Sequence, residues 1–285
     1  MTDVAFGNRL REGWGRATGD LLALALIPLL AAMIRIDELL QVLAFDGIHV
    51  GVRFAFPAMI VDGWTFISTP TPDGVHVSPA LYLFPLAVVV HGLLGAGYLG
   101  SIYEAISTEP GGGDDSVEFD FVENVVRYGG RLLTYAVLVY SLLLPFVYVT
   151  LVDPGTAVGL VLLGIPVGLL LWYLFFATPY LVVIADESLI GALGRSFDLA
   201  TSGGAYVGYA VRYFGFVLVV SLFVTTIAVN LDVVGVVIAL VGTAPLGLAL
   251  NVATVDFLAD LTNGDEPRPA DPTNGDEPRF DRSGL

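Results

Sequence analysis

The sequence predicts an all-α integral membrane protein with about six transmembrane helices. Hydrophobic residues make up 55% of the 285 residues, and the mean hydropathy is +0.79, which is too apolar for a soluble domain of this length. These residues are grouped into runs close to the ~20 residues that an α-helix needs to cross a bilayer. The arginines cluster between alternate runs, which is typical of a chain that crosses a membrane repeatedly.

The charged residues are strongly unbalanced. Asp and Glu number 28 and basic residues 12, which gives a net charge of −16, and every basic residue is Arg. Acidic, lysine-free chains are typical of proteins adapted to molar salt, where salt screens the repulsion between carboxylates. We therefore predict a haloarchaeal source. A GC-rich genome would also favour Arg over Lys, but it would not supply so many carboxylates.

Two missing residue types exclude several kinds of chemistry. Without Cys there are no disulfides, thiolate metal sites or cysteine nucleophiles. Without Lys there is no P-loop lysine and no Schiff base to pyridoxal phosphate or retinal. The chain also lacks the HExxH and GxSxG motifs. The sequence thus predicts a protein that is not an enzyme and carries no cofactor.

Six apolar runs are the candidate spans. The first is interrupted by Arg35, Asp37 and Glu38, and three arginines precede it, so a cleaved signal peptide is the competing interpretation. The acidic residues among those arginines argue against a signal peptide. The predicted spans are residues 21–43, 81–102, 132–152, 157–184, 213–229 and 233–255.

The distribution of arginine predicts the orientation. Ten of the twelve arginines fall on one side of these spans, and only Arg35 and Arg53 fall on the other. Because cytoplasmic loops collect basic residues, both termini are predicted to lie in the cytoplasm, with the chain in the cytoplasmic membrane. The loop of residues 46–79 is then extracytoplasmic.

Both non-helical segments have a predicted form. The loop of residues 46–79 contains the alternating runs IHVGVRFAF and WTFI together with Asp-Gly pairs, which predict a small β-hairpin cap. Residues 262–285 are polar and contain TNGDEPR twice, at 262–268 and 273–279. A segment this rich in Pro, Asp and Glu is predicted to be a disordered cytoplasmic tail.

Small residues recur at intervals of four within the spans. Gly92, Ala96 and Gly100 form such a stripe in span two, and Gly164 and Gly168 form one in span four. Small residues let helices approach closely in lipid. The stripes predict helix packing within one subunit, or a seam with a second copy or another membrane protein. Span six repeats this pattern of small residues at Gly235, Ala239, Thr243 and Gly247. The expected surroundings of the chain are a lipid bilayer, and no feature of the sequence suggests binding to nucleic acid.

His91 is the ionisable residue that falls near the middle of a predicted span. Ionisable groups at membrane depth are costly, so a proton relay or a solute site is one interpretation. A neutral histidine that hydrogen-bonds across the bundle is the other. His49 and His76 share the outer loop and could share a metal ion, but two histidines without a third ligand are more often plain surface residues.

An amphipathic helix is predicted on the cytoplasmic face between spans four and five. It contains Leu193, Arg195 and Ser196, with Asp186 as its N-cap and Gly203 at its end. A similar short helix is predicted over residues 117–126.

These residues carry a resemblance to a known family. The run from Ala192 to Ser196, the opening FGNRLREGWGRATGDLLAL and the closing VDFLADLT resemble the six-helix membrane domain of some glycerophosphodiester phosphodiesterases and related uncharacterised haloarchaeal membrane proteins. The resemblance covers residues 1–262 and implies a six-helix membrane fold. Phosphodiesterase activity belongs to a separate soluble barrel in that family, which this chain lacks, so no catalytic residue is transferred.

The sequence therefore predicts a non-enzymatic, multi-pass accessory or organising component of a cytoplasmic membrane. The alternative is a small-solute or lipid translocator built around His91. A translocator needs a polar path through the bundle, whereas an organising protein is packed solid at that depth.

Overall fold

Helices form most of the computed structural model, which describes residues 6–70, 78–107, 119–152 and 154–264. Single turns of 3₁₀-helix lie at Leu22–Ala25, Gly63–Thr65 and Leu81–Leu83, and a turn of π-helix lies at Val90–Leu94. The α-helices are α1 (Phe6–Thr18), α2 (Leu26–Met33), α3 (Ile36–Leu43), α4 (Phe84–Val89), α5 (Gly95–Ser107), α6 (Phe121–Val152), α7 (Pro154–Phe175), α8 (Thr178–Ile184), α9 (Leu189–Ser202), α10 (Ala205–Asn230) and α11 (Asp232–Gly264).

Five helical stretches are long and apolar enough to cross a membrane, or six if α1 and residues 22–33 count as one bent span. Their outer faces carry large apolar side chains such as Leu142, Leu162 and Phe223, each more than half exposed. A surface this apolar is unfavourable in water and favourable in lipid. The fold is therefore compatible with a multi-pass membrane protein.

The first predicted span is broken rather than continuous. The chain bends by 95° between α1 and residues 22–33, and it breaks again at Arg35, between α2 and α3. Arg35 lies next to two carboxylates that begin α3, and such groups avoid a lipid-facing helix. α1 packs along α11, where a Cβ at Gly13 would lie 2.5 Å from the Ala249 carbonyl oxygen.

The remaining spans differ from the predictions mainly at their ends. Helix α6 begins at Phe121, so the short helix predicted over residues 117–126 is its first turn where the structure describes it. Span two extends to Ser107 and contains the π-turn. Span four divides into α7 and α8 around Pro179, which occupies the first turn of α8.

The predicted β-hairpin cap is wrong for the described residues of the loop, 46–70 and 78–79. These residues contain no strand, and much of the segment is buried in the helix bundle. The alternating apolar pattern does favour an extended backbone, but the backbone pairs with helix side chains instead of a second strand.

The bundle has two ends, which we name by their residues. The turn end is the connection Asn230–Asp232 between α10 and α11. At the arginine end, Arg127 and Arg131 of α6 both bind the Asp186 carboxylate, at 2.7 and 2.6 Å. These two hydrogen bonds lower the pKa of Asp186, because they stabilise its charged form.

Helix α9 begins differently from the prediction, at the arginine end. Its N-cap is Ser188, whose hydroxyl accepts from the Gly191 N–H at 3.2 Å, because Asp186 is occupied by the two arginines. The predicted stop at Gly203 agrees with the structure, where this residue has φ +77°.

Some predictions fall outside the described residues. They are the tail from residue 265 onward, His76 and the Asp73-Gly74 pair. Residues 262–264, predicted to begin the tail, lie in the last turn of α11.

Candidate functional site

A non-helical segment runs through the helix bundle. We call residues 48–70 the re-entrant segment. At the turn end, the Asn230 side chain accepts from the His49 N–H and donates to the His49 carbonyl, both at 2.9 Å. Further along α10, Ser221 Oγ accepts from the Arg53 N–H at 2.8 Å and donates to its carbonyl at 2.9 Å. Asn230 is nine residues after Ser221, which corresponds to a rise of about 13 Å along α10. Arg53 is only four residues after His49, so the segment must be extended to cover this distance.

The tip of the re-entrant segment, at residues 58–61, is bound by Asn251 of α11, which is fully buried. Asn251 Oδ1 accepts from the Val61 N–H at 3.1 Å and from the Tyr98 hydroxyl at 3.3 Å. Its Nδ2 donates to the Ala58 carbonyl and to the Tyr180 hydroxyl, both at 2.8 Å. This single amide thus uses all its hydrogen-bonding capacity on the tip and its seat.

The part of the segment that follows the tip, which we call the returning limb, packs against α10 and α11. Thr225 of α10 accepts from the Ser68 N–H at 2.9 Å and donates to the Phe66 carbonyl at 3.3 Å. On α11, a Cβ at Gly247 would lie only 2.0 Å from the Val61 carbonyl oxygen. The small residue is needed there because backbone meets backbone, and this part of the span-six stripe therefore serves the segment.

The segment penetrates far into the bundle. Asn251 lies nineteen residues beyond Asp232, which corresponds to about 28 Å along α11. The hydrocarbon core of a bilayer is about 30 Å thick. Irregular backbone is tolerated at such a depth only where protein or a water-filled cavity satisfies its polar groups. Here helix side chains bind several of these groups, at residues 49, 53, 58, 61 and 68.

A buried ionic cluster ties the segment to the break in the first span. Glu38 of α3 is only 1% exposed and forms an ion pair with Arg35 at the break. It forms a second one, at 3.0 Å, with Arg53 in the part of the segment before the tip, which we call the descending limb. Arg35 also lies 3.8 Å from Asp62, beyond the tip of the segment. Glu38 is therefore the one carboxylate in this cluster that contacts both arginines.

The same cluster reaches the returning limb. Thr69 donates to Glu38 at 3.4 Å, and Arg53 donates to the Ile67 carbonyl at 2.9 Å. Both limbs of the segment are thus connected to Glu38. A buried charge network of this kind is costly unless all its members are paired, as they are here.

His91 lies in the π-turn, close to this cluster. Its Nδ1 is 2.9 Å from the Ala87 carbonyl oxygen and 3.3 Å from the Tyr140 hydroxyl oxygen. When Nδ1 carries a proton it donates to the Ala87 carbonyl, and the Tyr140 hydroxyl can then only accept from it. His91 interacts electrostatically with Asp62 and Arg35. A proton relay at His91 stays a prediction.

The predicted packing glycines have different surroundings. A Cβ at Gly92 would lie 2.6 Å from Leu133 Cα, and one at Gly100 would lie 2.4 Å from the Asn124 side chain, so both glycines face α6. Ala96 between them is fully buried. Gly164 is half-buried, and a Cβ at Gly168 would meet no atom within 4 Å.

The predicted interfacial residues lie in α9. Ser196 is buried and donates to the Leu174 carbonyl at 2.8 Å, which ties α9 to α7. Arg195 binds Glu187 at 2.9 Å, and Leu193 is half-buried. Ile190 and Phe197 point outward, which gives α9 an exposed apolar face.

Two open clefts lie on the surface of the described bundle, away from the segment. One, of about 310 Å³, is lined by Leu10 and Trp14 of α1 and by Leu246. The other, of about 360 Å³, lies at the arginine end beside Arg127 and Asp186. The space around the tip is instead filled by Tyr98, Tyr180 and Tyr213, which are fully buried.

Sequence reasoning missed the residues that hold the segment: Ser221, Thr225, Asn230, Asn251, Glu38 and Arg53. One signal was available. Ser221 and Thr225 are four residues apart and therefore share one face of an otherwise apolar helix. Asn251 is likewise a lone amide in an apolar run.

Two neighbouring threonines on α10 provide a test of the segment's contacts. Thr225 is fully buried and bonds the segment, whereas exposed Thr226 bonds only the Leu222 carbonyl of its own helix. We expect Thr225→Val to lower the free energy of unfolding by about 1 to 3 kcal/mol, since the Ser68 N–H loses its acceptor. Thr226→Val is the matched control and should change it little. Thermal unfolding in detergent measures both, and equal effects would contradict the assignment.

Comparisons with known proteins find no relatives. No protein-family model, no curated protein and no solved structure matches this chain. The resemblance to the membrane domain of glycerophosphodiester phosphodiesterases therefore stays a prediction, and the function must be argued from the site.

Proposed function

We propose that this protein is a multi-pass membrane translocator for small solutes and that the re-entrant segment closes its path as a plug. The observation that carries the proposal is an extended backbone that lies deep among membrane-type helices and is bound by their side chains at three positions, Asn230, Ser221 and Asn251. Removing such a segment would leave these polar side chains without their partners.

Three chain discontinuities meet at the same place, which supports this interpretation. They are the break at Arg35, the π-turn containing His91, and the re-entrant segment carrying Asp62. Broken helices and irregular backbone at membrane depth are the usual construction of transporter sites, and π-turns often mark functional positions. A bundle built only for packing has no need of them.

We propose the orientation from the arginine distribution. Arg127, Arg131 and Arg195 lie at the arginine end, which we assign to the cytoplasm. The plug then enters from outside the cell. Arg35 and Arg53, the two arginines predicted to lie outside, are those that bind Glu38.

An organising membrane component is the second candidate. It is favoured by the closed interior, where tyrosines pack around Asn251, while the two open clefts lie on the surface. In that case the segment would be a permanent part of the core. The two candidates differ in whether the segment ever leaves.

Vesicle swelling tests the plug. The chain has no native Cys, so a Ser68→Cys/Thr225→Cys pair can lock the returning limb to α10, where the backbone nitrogen and the hydroxyl oxygen are 2.9 Å apart. Asn230→Ala removes the hydrogen bonds to His49, and the loss of about 1 to 3 kcal/mol from the closed state should raise the open population by about fivefold to a hundredfold. We expect Asn230→Ala to increase glycerol permeability in proteoliposomes, and the oxidised cysteine pair to reverse the increase.

The cysteine pair in its reduced form is the matched control, because it differs only in the cross-link. Ser221→Ala is a second release variant, which loosens the Arg53 level instead. If both folded release variants show the permeability of protein-free vesicles, the translocator is excluded and the organising role takes its place.

A further inference from the structure

Apart from Glu38, which binds Arg53, the helix side chains that hold the plug are uncharged. Their polar atoms bind the backbone of the segment and so would face the path if the segment moved away. They are Trp172 of α7, Tyr180 of α8, Ser221, Thr225 and Asn230 of α10, and Asn251 of α11.

The charged side chains near the path either belong to the segment or are paired with each other. Arg53 and Asp62 belong to the segment and would leave with it. Arg35 and Glu38 would stay, but they are paired with each other. The seat of the tip is formed by the groups that bind it and the adjoining Pro57, which are an amide, a phenol and an indole.

This seat offers both kinds of hydrogen-bonding group. Tyr180 donates to Ala58 at 2.7 Å, and Trp172 donates to Pro57 at 3.1 Å, so both provide donors. Asn251 Oδ1 provides an acceptor. The hydroxyl of Tyr213, which is fully buried, has no hydrogen-bond partner among the described residues.

Such a lining treats ions and neutral solutes differently. An ion entering low-dielectric surroundings loses its hydration shell, and ion-selective paths replace that shell with rings of carbonyl oxygens or charged groups. This seat has neither. A small neutral solute with hydroxyl or amide groups exchanges its hydrogen bonds with water for those that the segment vacates.

We infer that the path selects small uncharged solutes that both donate and accept hydrogen bonds, the class of short polyols and simple amides, and that it rejects inorganic ions. This inference rests on the proposed function, because it requires the segment to leave its seat. It names the kind of solute that the vacated seat would accept.

The test compares neutral and ionic permeability in the same proteoliposomes. Glycerol and urea are measured by vesicle swelling, and K⁺ and Cl⁻ by the decay of an imposed KCl gradient. In Asn230→Ala, and in Ser221→Ala as an independent variant, we expect glycerol and urea permeability to rise about tenfold. We expect K⁺ and Cl⁻ permeability to stay at the value of the oxidised Ser68→Cys/Thr225→Cys protein.

The outcomes separate the two proposals. If glycerol, urea and the ions all stay at the level of empty vesicles in both folded variants, the proposed function fails and the selectivity fails with it. If K⁺ or Cl⁻ permeability rises as much as that of glycerol, translocation stands and the inference about uncharged solutes is overturned.

Discussion

Replacing Gly247 by valine is expected to unseat the re-entrant segment and to lower the free energy of unfolding by about 3 kcal/mol or more. The reason is steric, because a Cβ at this position would lie 2.0 Å from the carbonyl oxygen of Val61, a separation that nonbonded atoms do not tolerate. Neither backbone can yield easily, since α11 is a long helix and Val61 is fixed by Asn251.

Gly242→Val is the matched control for this substitution. Gly242 lies on the same helix, and a Cβ there would meet no atom within 4 Å. Its replacement should change stability by no more than about 0.5 kcal/mol. Thermal unfolding in detergent compares the two variants. A Gly247→Val protein that melts like the Gly242→Val protein would show that Val61 does not lie against α11.

The helical, membrane-compatible class of the fold was predictable because it depends on composition and run length. Apolar runs such as residues 233–255 must be helical if they lie in lipid, since only an internally bonded backbone is stable there. The ends were less accessible. Whether α11 stops at residue 255 or continues to Gly264 depends on its packing with α1, where Arg9 binds Asp256 and Asp260.

The re-entrant segment was misassigned for a physical reason. Alternating residues in IHVGVRFAF indicate an extended backbone, and the spacing of His49 and Arg53 along α10 agrees with one. Periodicity does not reveal which groups accept the backbone hydrogen bonds. A strand pairs with another strand by default, whereas here Asn230 and Ser221 perform that role from a helix.

The residues that bind the segment could not be predicted, because the same residue types occur in membrane helices without such a role. A Ser or Thr in an apolar helix usually bonds its own backbone, as Thr226 does with Leu222. Only the fold shows that Thr225 bonds the segment instead. His91 attracted attention because it titrates, yet Asn251 makes more contacts with the segment.

Replacing Glu38 by glutamine is expected to destabilise the folded protein by about 3 to 5 kcal/mol, since it leaves two guanidinium groups without their shared carboxylate. Glu38 is only 1% exposed and pairs with both Arg35 and Arg53. The side chains of Arg35 and Arg53 are 16% and 33% exposed, so water compensates for the loss only in part. Thermal unfolding in detergent measures the change, and Glu12→Gln, at an exposed carboxylate of α1, is the control with an expected change of no more than about 0.5 kcal/mol.

A double variant separates the charge effect from a packing effect. If the cost of Glu38→Gln comes from an uncompensated charge, then adding Arg53→Gln removes one of the two stranded cations and should restore part of the stability. If the cost comes from packing, the two changes should add. The coupling free energy therefore measures how strongly Glu38 binds the descending limb. Additive effects, or a Glu38→Gln protein as stable as Glu12→Gln, would remove the ionic tie from the account of how the plug is held.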